Sequence, residues 1–462
     1  MQLRFLGAAR GVTGSCYELR VGDRTVLLDC GQFQGSRLDE ELNRVPLPVG
    51  HVDAVILSHA HIDHSGRLPL LPKQGFKGPI YTHRATSDLC AIMLPDAAYL
   101  HEKDAEWQNK KRRRKGLARI EPLYTRDEAR AVLAQFVGVE YDVPHEIVPG
   151  VEVTLRNAGH ILGAAIVELS LREDGRAFRL VFSGDLGYSS APLLAAPATV
   201  ERADLVLMES TYGNRNHRAF GATLDELRSI IRGAADGGGN ILIPAFAVGR
   251  TQDLLFLLQR HYRDFGLERW QVYLDSPMAI AATELYWRHA DLQKARLFGA
   301  DGASSPANVI AAQSTEDSRR INAIEKGAIV IAGSGMCSGG RILHHLKHNL
   351  WRPECHVIMV GFQAEGTLGR RLVDGVERVR LWGETIKVEA KIHTVGGLSA
   401  HADQAGLLEW YGGFANRPPV CLVHGEPGAQ QALAAELRAR RHADVSIPAR
   451  GEVMSLVAGR SA

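Results

Sequence analysis

The chain has 462 residues, 45% of them hydrophobic and 23% charged, with a formal net charge of +2. That balance fits two or three folded domains and excludes a disordered or fibrous chain. No apolar run approaches the ~20 residues that span a bilayer, the first residues do not read as a signal peptide, and six scattered cysteines without a CxxC pair argue against a disulfide framework or a cysteine-based zinc site. A reduced, cytoplasmic chain without a membrane segment is expected.

In chain order, QLRFLG, CYELRV, RTVLLD and DAVILS read as short strands separated by Gly and Asp turns. The stretch from Ala85 to Lys115 is helix-forming, with Pro95 its one proline. VEVTLRNAG, AAIVELSL, AFRLVFSGD and ADLVLMEST form a second strand-rich block. Further on, GGNILIPAF, WQVYLDS, GAIVIAGSG and ECHVIMVGF each lead through a short loop into a helix. That alternation predicts a doubly wound α/β domain over roughly residues 211–390. The tail returns to strands, with IKVEAKIHTVGG and PPVCLVHGE, and to a final helix, QQALAAELRARRH.

Nineteen histidines stand out, and several cluster. In VILSHAHIDHSG an apolar strand ends at Leu57, and His59, His61, Asp63 and His64 follow at once. One histidine there would be an incidental loop residue, but this spacing suits two adjacent metal ions better than one. Further ligands should come from other loops after strands: His160 in AGHILGA, Asp185 in FSGDLG and His424 in LVHGE. Each is flanked by glycine, which permits tight bends at a crowded site. Nitrogen and oxygen donors without thiolate suit zinc, with manganese or iron as alternatives. Asp29 in VLLDCG has no metal position left and reads as a carboxylate that orients a ligand histidine. Glu209 in VLMES and His401 in SAHAD sit in the same kind of location, and a histidine beside a carboxylate is equipment for proton transfer.

Substrate grip is expected from the α/β domain. Gly333 to Gly340 (GSGMCSGG) precedes a helix beginning near Arg341, which makes Ser334, Gly335 and Arg341 candidates for a phosphate cradle. Arg250 and Arg370 also sit at helix starts. His344, His345 and His348 lie on the helix after the loop and read as an exposed or partly packed helix face. Lys110 to Lys115 are six consecutive basic residues, with Trp107 and Tyr124 nearby as stacking surfaces. They read either as a solvated face or as an electrostatic contact for nucleic acid.

Taken together, these residues resemble the metallo-β-lactamase superfamily, whose histidine signature is matched by HAHIDH, and more narrowly its β-CASP nucleases. The motif at Glu209 (ESTYG), His401 in SAHAD and His424 in VHGE are similar to that family's marks. Within that family it resembles the bacterial and archaeal relatives of the endonuclease subunit of the cleavage and polyadenylation specificity factor. The resemblance implies an αβ/βα sandwich over residues 1–210 and 391–462, interrupted by an inserted doubly wound α/β (β-CASP) domain over 211–390. It implies two Zn²⁺ per chain, the first held by His59, His61 and His160, the second by Asp63, His64 and His424, with Asp185 bridging. His401 would be the general acid and Glu209 would orient it. The implied activity is two-metal hydrolysis of RNA phosphodiesters, endonucleolytic, 5′–3′ exonucleolytic or both. DNA-processing members tend to carry valine where His424 stands, so the resemblance favours RNA, expected as a single strand. Self-association is left open. The alternative, a small-molecule thioesterase or lactonase of the same superfamily, explains the metals but gives no work to the insert, Glu209 and His401.

Overall fold

A computed structural model describes residues 1–35, 37–47, 50–294, 308–364 and 366–457. They form two compact units, one of residues 1–189, 196–216 and 401–462, the other of 190–195 and 217–400.

The first unit holds two seven-stranded sheets. One runs in the order Val453–Ser455, Gln2–Gly7, Cys16–Val21, Arg24–Leu28, Ala54–Ile56, Ile80–His83, Phe136–Val139. The other runs Val445–Ser446, Val420–Val423, Leu205–Glu209, Arg176–Phe182, Ala165–Glu173, Val151–Asn157, His145–Val148. The eight strands expected in this region all form. Their alternation sends Leu3, Phe5, Tyr17 and Leu19 of one sheet into a continuous core with Leu155, Val167, Leu169, Leu180 and Phe182 of the other. Tyr17 and Phe182 meet edge to face, with ring centroids 5.3 Å apart. Each such side chain contributes roughly 2–3 kcal/mol by burial, so this core holds the sandwich closed. Helix Arg84–Arg114 is capped by His83, whose side chain accepts from the Ala85 N–H. Its first half is buried through Leu89, Cys90, Met93 and Leu94, while its second half buries only Ala105.

In the second unit a six-stranded parallel sheet runs Val309–Ala311, Gln271–Leu274, Ala328–Ala332, Ile241–Pro244, His356–Met359, Lys391–Thr394. The four predicted strands are its centre. Within IKVEAKIHTVGG, the part from Lys391 on, expected in the sandwich, behaves differently and lies in this unit. Glu384–Lys387 closes a hairpin on Arg378–Leu381 inside the predicted insert, and Lys391–Thr394 adds to the sheet edge beside His356–Met359. Alternation identifies a strand but not the sheet that will accept its backbone. Among the described residues no helix is long and apolar enough to cross a membrane.

Candidate metal centre

The centre lies in the first unit, where strand ends deliver its residues. His59 and His61 follow Ala54–Ile56, and Asp63 and His64 lie in the short helix Ile62–Ser65, with His61 at its N-cap. His160 follows Val151–Asn157, Asp185 follows Arg176–Phe182, and His424 follows Val420–Val423. Glycine permits the crowding. Gly184 has φ +53°, and a Cβ there would stand 2.8 Å from the Ala165 carbonyl oxygen. At Gly31 it would stand 1.6 Å from the carbonyl oxygen of Asp63.

The seven expected ligands come together. His59 Nε2 and His160 Nε2 approach His61 Nδ1 at 3.2 and 3.1 Å. His424 Nε2 lies 3.1 Å from His64 Nε2 and 3.3 Å from Asp63 Oδ2. Asp185 stands between the groups. Its Oδ2 is 3.4 Å from His59 Nε2 and 3.6 Å from His160 Nε2, and its Oδ1 is 3.3 Å from His64 Nε2 and 3.5 Å from His424 Nδ1. Facing ring nitrogens cannot all be satisfied by one another, because a neutral imidazole has one donor and one acceptor. Asp185 Oδ1 is buried with no hydrogen-bond partner among the described residues. Buried lone pairs aimed at common points are costly without a cation and form the donor set that a divalent ion satisfies. The residues therefore fit a divalent metal.

The charges agree. Burial, reinforced by His59, holds His61 down to about 3. Burial with His401 nearby drops His160 well below the ordinary imidazole value, and burial lowers His59 too. These rings stay neutral, which is their ligating form. Burial works to raise Asp185, but the imidazoles of His424, His64 and His59 outweigh it and hold the carboxyl well below the usual range. His64 runs the other way: burial opposes its charge, yet Asp185 and Asp29 raise it well above the ordinary value.

A second layer orients the ligands. Asp29 Oδ2 is 2.7 Å from His64 Nδ1, the orienting part expected of it, while its Oδ1 accepts from the Ser58 N–H at 2.8 Å. Ser58 Oγ lies 3.1 Å from His59 Nδ1, and Thr211 Oγ1 lies 3.1 Å from His424 Nδ1. The sequence reading did not assign Ser58 or Thr211, although both stand inside the quoted motifs, one residue before His59 and two after Glu209.

His401 and Glu209 form a third corner. His401 Nδ1 is 3.2 Å from Glu209 Oε1, and Glu209 is fully buried. The same Oε1 accepts the Leu186 N–H at 2.6 Å, and Leu186 accepts the Ala402 N–H at 2.7 Å. The loop carrying Asp185 therefore also sets the position of His401. Burial disfavours the His401 cation, but Glu209 and then Asp185 outweigh this and raise its pKa to about 9.

The five expected phosphate-binding residues belong to the second unit. Ser334 Oγ accepts the N–H groups of Ser338 and Gly339 at 2.9 and 3.2 Å, so the Gly-rich loop folds its amides onto its own serine. The Gly335 carbonyl accepts from Gln363 at 3.0 Å. Arg250 is buried and paired with Asp253 at 3.4 Å. Arg370 meets Asp374 at 2.9 Å and is 39% exposed. Arg341 donates to Asp275 at 2.6 Å and to the Ala312 and Gln313 carbonyls. Asp275, fully buried, also holds Ser318 and His345, each at 2.6 Å. The helix face with His344, His345 and His348 is partly packed: His345 is buried on Asp275, and His344 stacks on Trp382 at 4.4 Å. Removing this hub strands three donors. Asp275→Ala is expected to lower the unfolding free energy of this unit by about 3–5 kcal/mol, read from its denaturant midpoint. A change below about 1 kcal/mol would contradict the network.

One expectation near the basic run is corrected. Tyr124 is completely buried and packs edge-on against His101, so it offers no stacking face, whereas Trp107 is 56% exposed.

Comparison with known proteins places the chain. Family models match in succession: the metallo-beta-lactamase superfamily over residues 9–229, the Beta-Casp domain over 251–372 and the Zn-dependent metallo-hydrolase RNA specificity domain over 385–448. A Thermus thermophilus protein named Ribonuclease TTHA0252 is 38% identical across 98% of this chain and 99% of its own length. Archaeal proteins named transcription termination factor FttA are also similar. The one from Methanocaldococcus jannaschii is 30% identical over 92% of this chain and 67% of itself, and that from Pyrococcus horikoshii is 32% identical over 91% and 66%. A crystal structure of a protein of unknown function from Enterococcus faecalis V583 shares the fold, with a TM-score of 0.54 at 14% identity over 98% of this chain and 99% of that one. With its whole length matched to a ribonuclease, and lactamase, insert and RNA-specificity segments following in order, the chain belongs to the β-CASP family of the metallo-β-lactamase superfamily.

Proposed function

We propose that this chain is a divalent-metal-dependent ribonuclease that hydrolyses phosphodiesters of single-stranded RNA in processing or decay, with two zinc ions per chain. The observation that carries the reading is the placement of Asp185. Its two oxygens face separate donor groups, His59, His61 and His160 on one side and Asp63, His64 and His424 on the other. Metal ions held there would neutralise charge on the phosphoryl oxygens and make water a competent nucleophile near neutral pH.

The chain's own residues supply the rest. Asp29, Ser58 and Thr211 fix the rings of His64, His59 and His424, so the donor set is rigid before substrate arrives. His401 is anchored through Nδ1 by Glu209, and Nε2 is then the nitrogen that delivers a proton to the leaving oxygen. A thioesterase or lactonase leaves this pair without a task, and the RNA-specificity match lies over the segment that carries His401 and His424. In the inserted unit, Arg370 and the Gly-rich loop carrying Ser334 and Gly335 are the candidates for phosphate contact, while Arg250 is paired with Asp253 and Arg341 is held by the buried Asp275. Six buried cysteines without disulfides support action in the reducing cytoplasm.

The test pairs cleavage with metal content. Protein purified under zinc-replete conditions should carry about two metal ions per chain, because seven ligands exceed one tetrahedral site. It should cut a labelled RNA and bis(p-nitrophenyl) phosphate in preference to a thioester. Stripping the metal with a chelator should abolish cleavage, and zinc should restore it. One ion or none in a fully active preparation would overturn the dinuclear reading, and thioester turnover without RNA cleavage would overturn the nuclease reading.

A further inference from the structure

The last turns of helix Arg84–Arg114 are not used by the metal centre. Residues 107–119 contain seven basic side chains and no acidic one. Lys110, Lys111, Arg113, Arg114, Lys115 and Arg119 are exposed, and none of them is engaged by a carboxylate among the described residues. Arg112 is the exception in kind, since its Nε donates to the Ala118 carbonyl and folds the following turn back on the helix. The acids earlier in the helix are spent locally: Glu106 pairs with Lys103 at 2.9 Å, and Asp104 accepts from Gln108. At ~100° per residue, Lys110, Lys111 and Arg114 surround Trp107 on one face. Lys111 Nζ sits 3.2 Å over the indole, which stands 56% exposed.

We infer that this helix end is a binding arm for the phosphate backbone of single-stranded RNA, with Trp107 as a base-stacking platform. The inference rests on the ribonuclease reading and adds a contact surface beyond the catalytic centre. Cations at successive turns stand ~5–6 Å apart, a spacing that can follow a flexible phosphate chain. An exposed indole among them is the element a base can stack on, and Lys111 would exchange its ring contact for a phosphate. A lipid surface is a poorer match. Among the described residues of this helix and the turn after it, the exposed large apolar side chains are Tyr99, Leu100, Trp107 and Leu117. Lys103, Lys110, Lys111 and Arg114 interrupt them, so they do not make the continuous apolar stripe that an interfacial helix buries. Unpaired cations also explain why the helix projects past its buried half: they gain little from packing and lose hydration if covered.

The experiment measures binding of metal-loaded protein to a nuclease-resistant phosphorothioate oligouridylate across a salt series. The variant carrying Lys110→Gln, Lys111→Gln, Arg113→Gln and Arg114→Gln should bind on the order of 10²-fold more weakly at moderate salt. The slope of log affinity against log salt should become shallower by up to ~2.8, at ~0.7 per lost contact. Trp107→Ala should weaken binding ~10-fold with the slope unchanged, and Trp107→Phe should recover most of it. A comparison variant neutralises the exposed Lys77, Arg202, Arg319 and Lys326 and should move the slope far less. Equal losses in both quadruple variants, or no loss in the first, would overturn the arm while leaving RNA cleavage, and with it the ribonuclease reading, intact. Loss of binding to anionic phosphatidylserine vesicles with unchanged RNA binding would replace RNA by a lipid surface and overturn it too. Wild-type protein that neither binds nor cuts RNA would instead sink the ribonuclease reading.

Discussion

Asp185→Asn should abolish hydrolysis while leaving most RNA binding in place. Asp185 offers one oxygen to each donor group and would carry the charge that balances cations held on both sides. An amide is neutral, presents one oxygen instead of two, and turns N–H donors toward His64 and His424 or toward His59 and His160. Charge stabilisation by bound metal is worth several kcal/mol, and a loss of ~4 kcal/mol is on the order of 10³-fold in rate. Metal content should fall below that of the wild type, whereas RNA affinity should change by less than ~10-fold, because phosphate contacts elsewhere dominate it. The measurement is single-turnover cleavage beside elemental analysis of the same sample. Turnover within a few-fold of wild type would show that Asp185 does not join the two groups.

His401→Ala should leave metal content unchanged and slow RNA cleavage by ~10²–10⁴-fold, the usual worth of a positioned general acid. The distinguishing readout is the leaving group. Ribose oxygen departs poorly without a proton, but p-nitrophenolate departs unaided, so the deficit should shrink on bis(p-nitrophenyl) phosphate. Glu209→Gln should follow the same pattern more weakly. It keeps a hydrogen-bonding group 3.2 Å from His401 Nδ1 but removes the charge that supports the imidazolium. Equal losses on both substrates would mean that His401 positions substrate instead of donating a proton, and metal lost from His401→Ala would make it a ligand.

The candidate metal centre was legible in the sequence because potential donors cluster by type after strands. HAHIDH concentrates four donors within six residues, and His160, Asp185 and His424 each follow an apolar run. Asp29 could be placed by elimination, and it does hold His64. The strands were legible wherever alternation met Gly and Asp turns, from QLRFLG to ADLVLMES. Tertiary structure alone decided which sheet took Lys391–Thr394, since a strand's pattern states its faces but not its neighbour. It decided that Tyr124 is buried while Trp107 is exposed, because burial of the helix ends after its first half. It decided that Arg341 serves Asp275, because a guanidinium at a helix start looks the same in sequence whether it awaits a phosphate or a buried carboxylate. Side-chain type and local spacing are written in the chain, whereas the partner of a charge or a strand edge is set by residues far away in sequence, and only folding brings them within hydrogen-bonding distance.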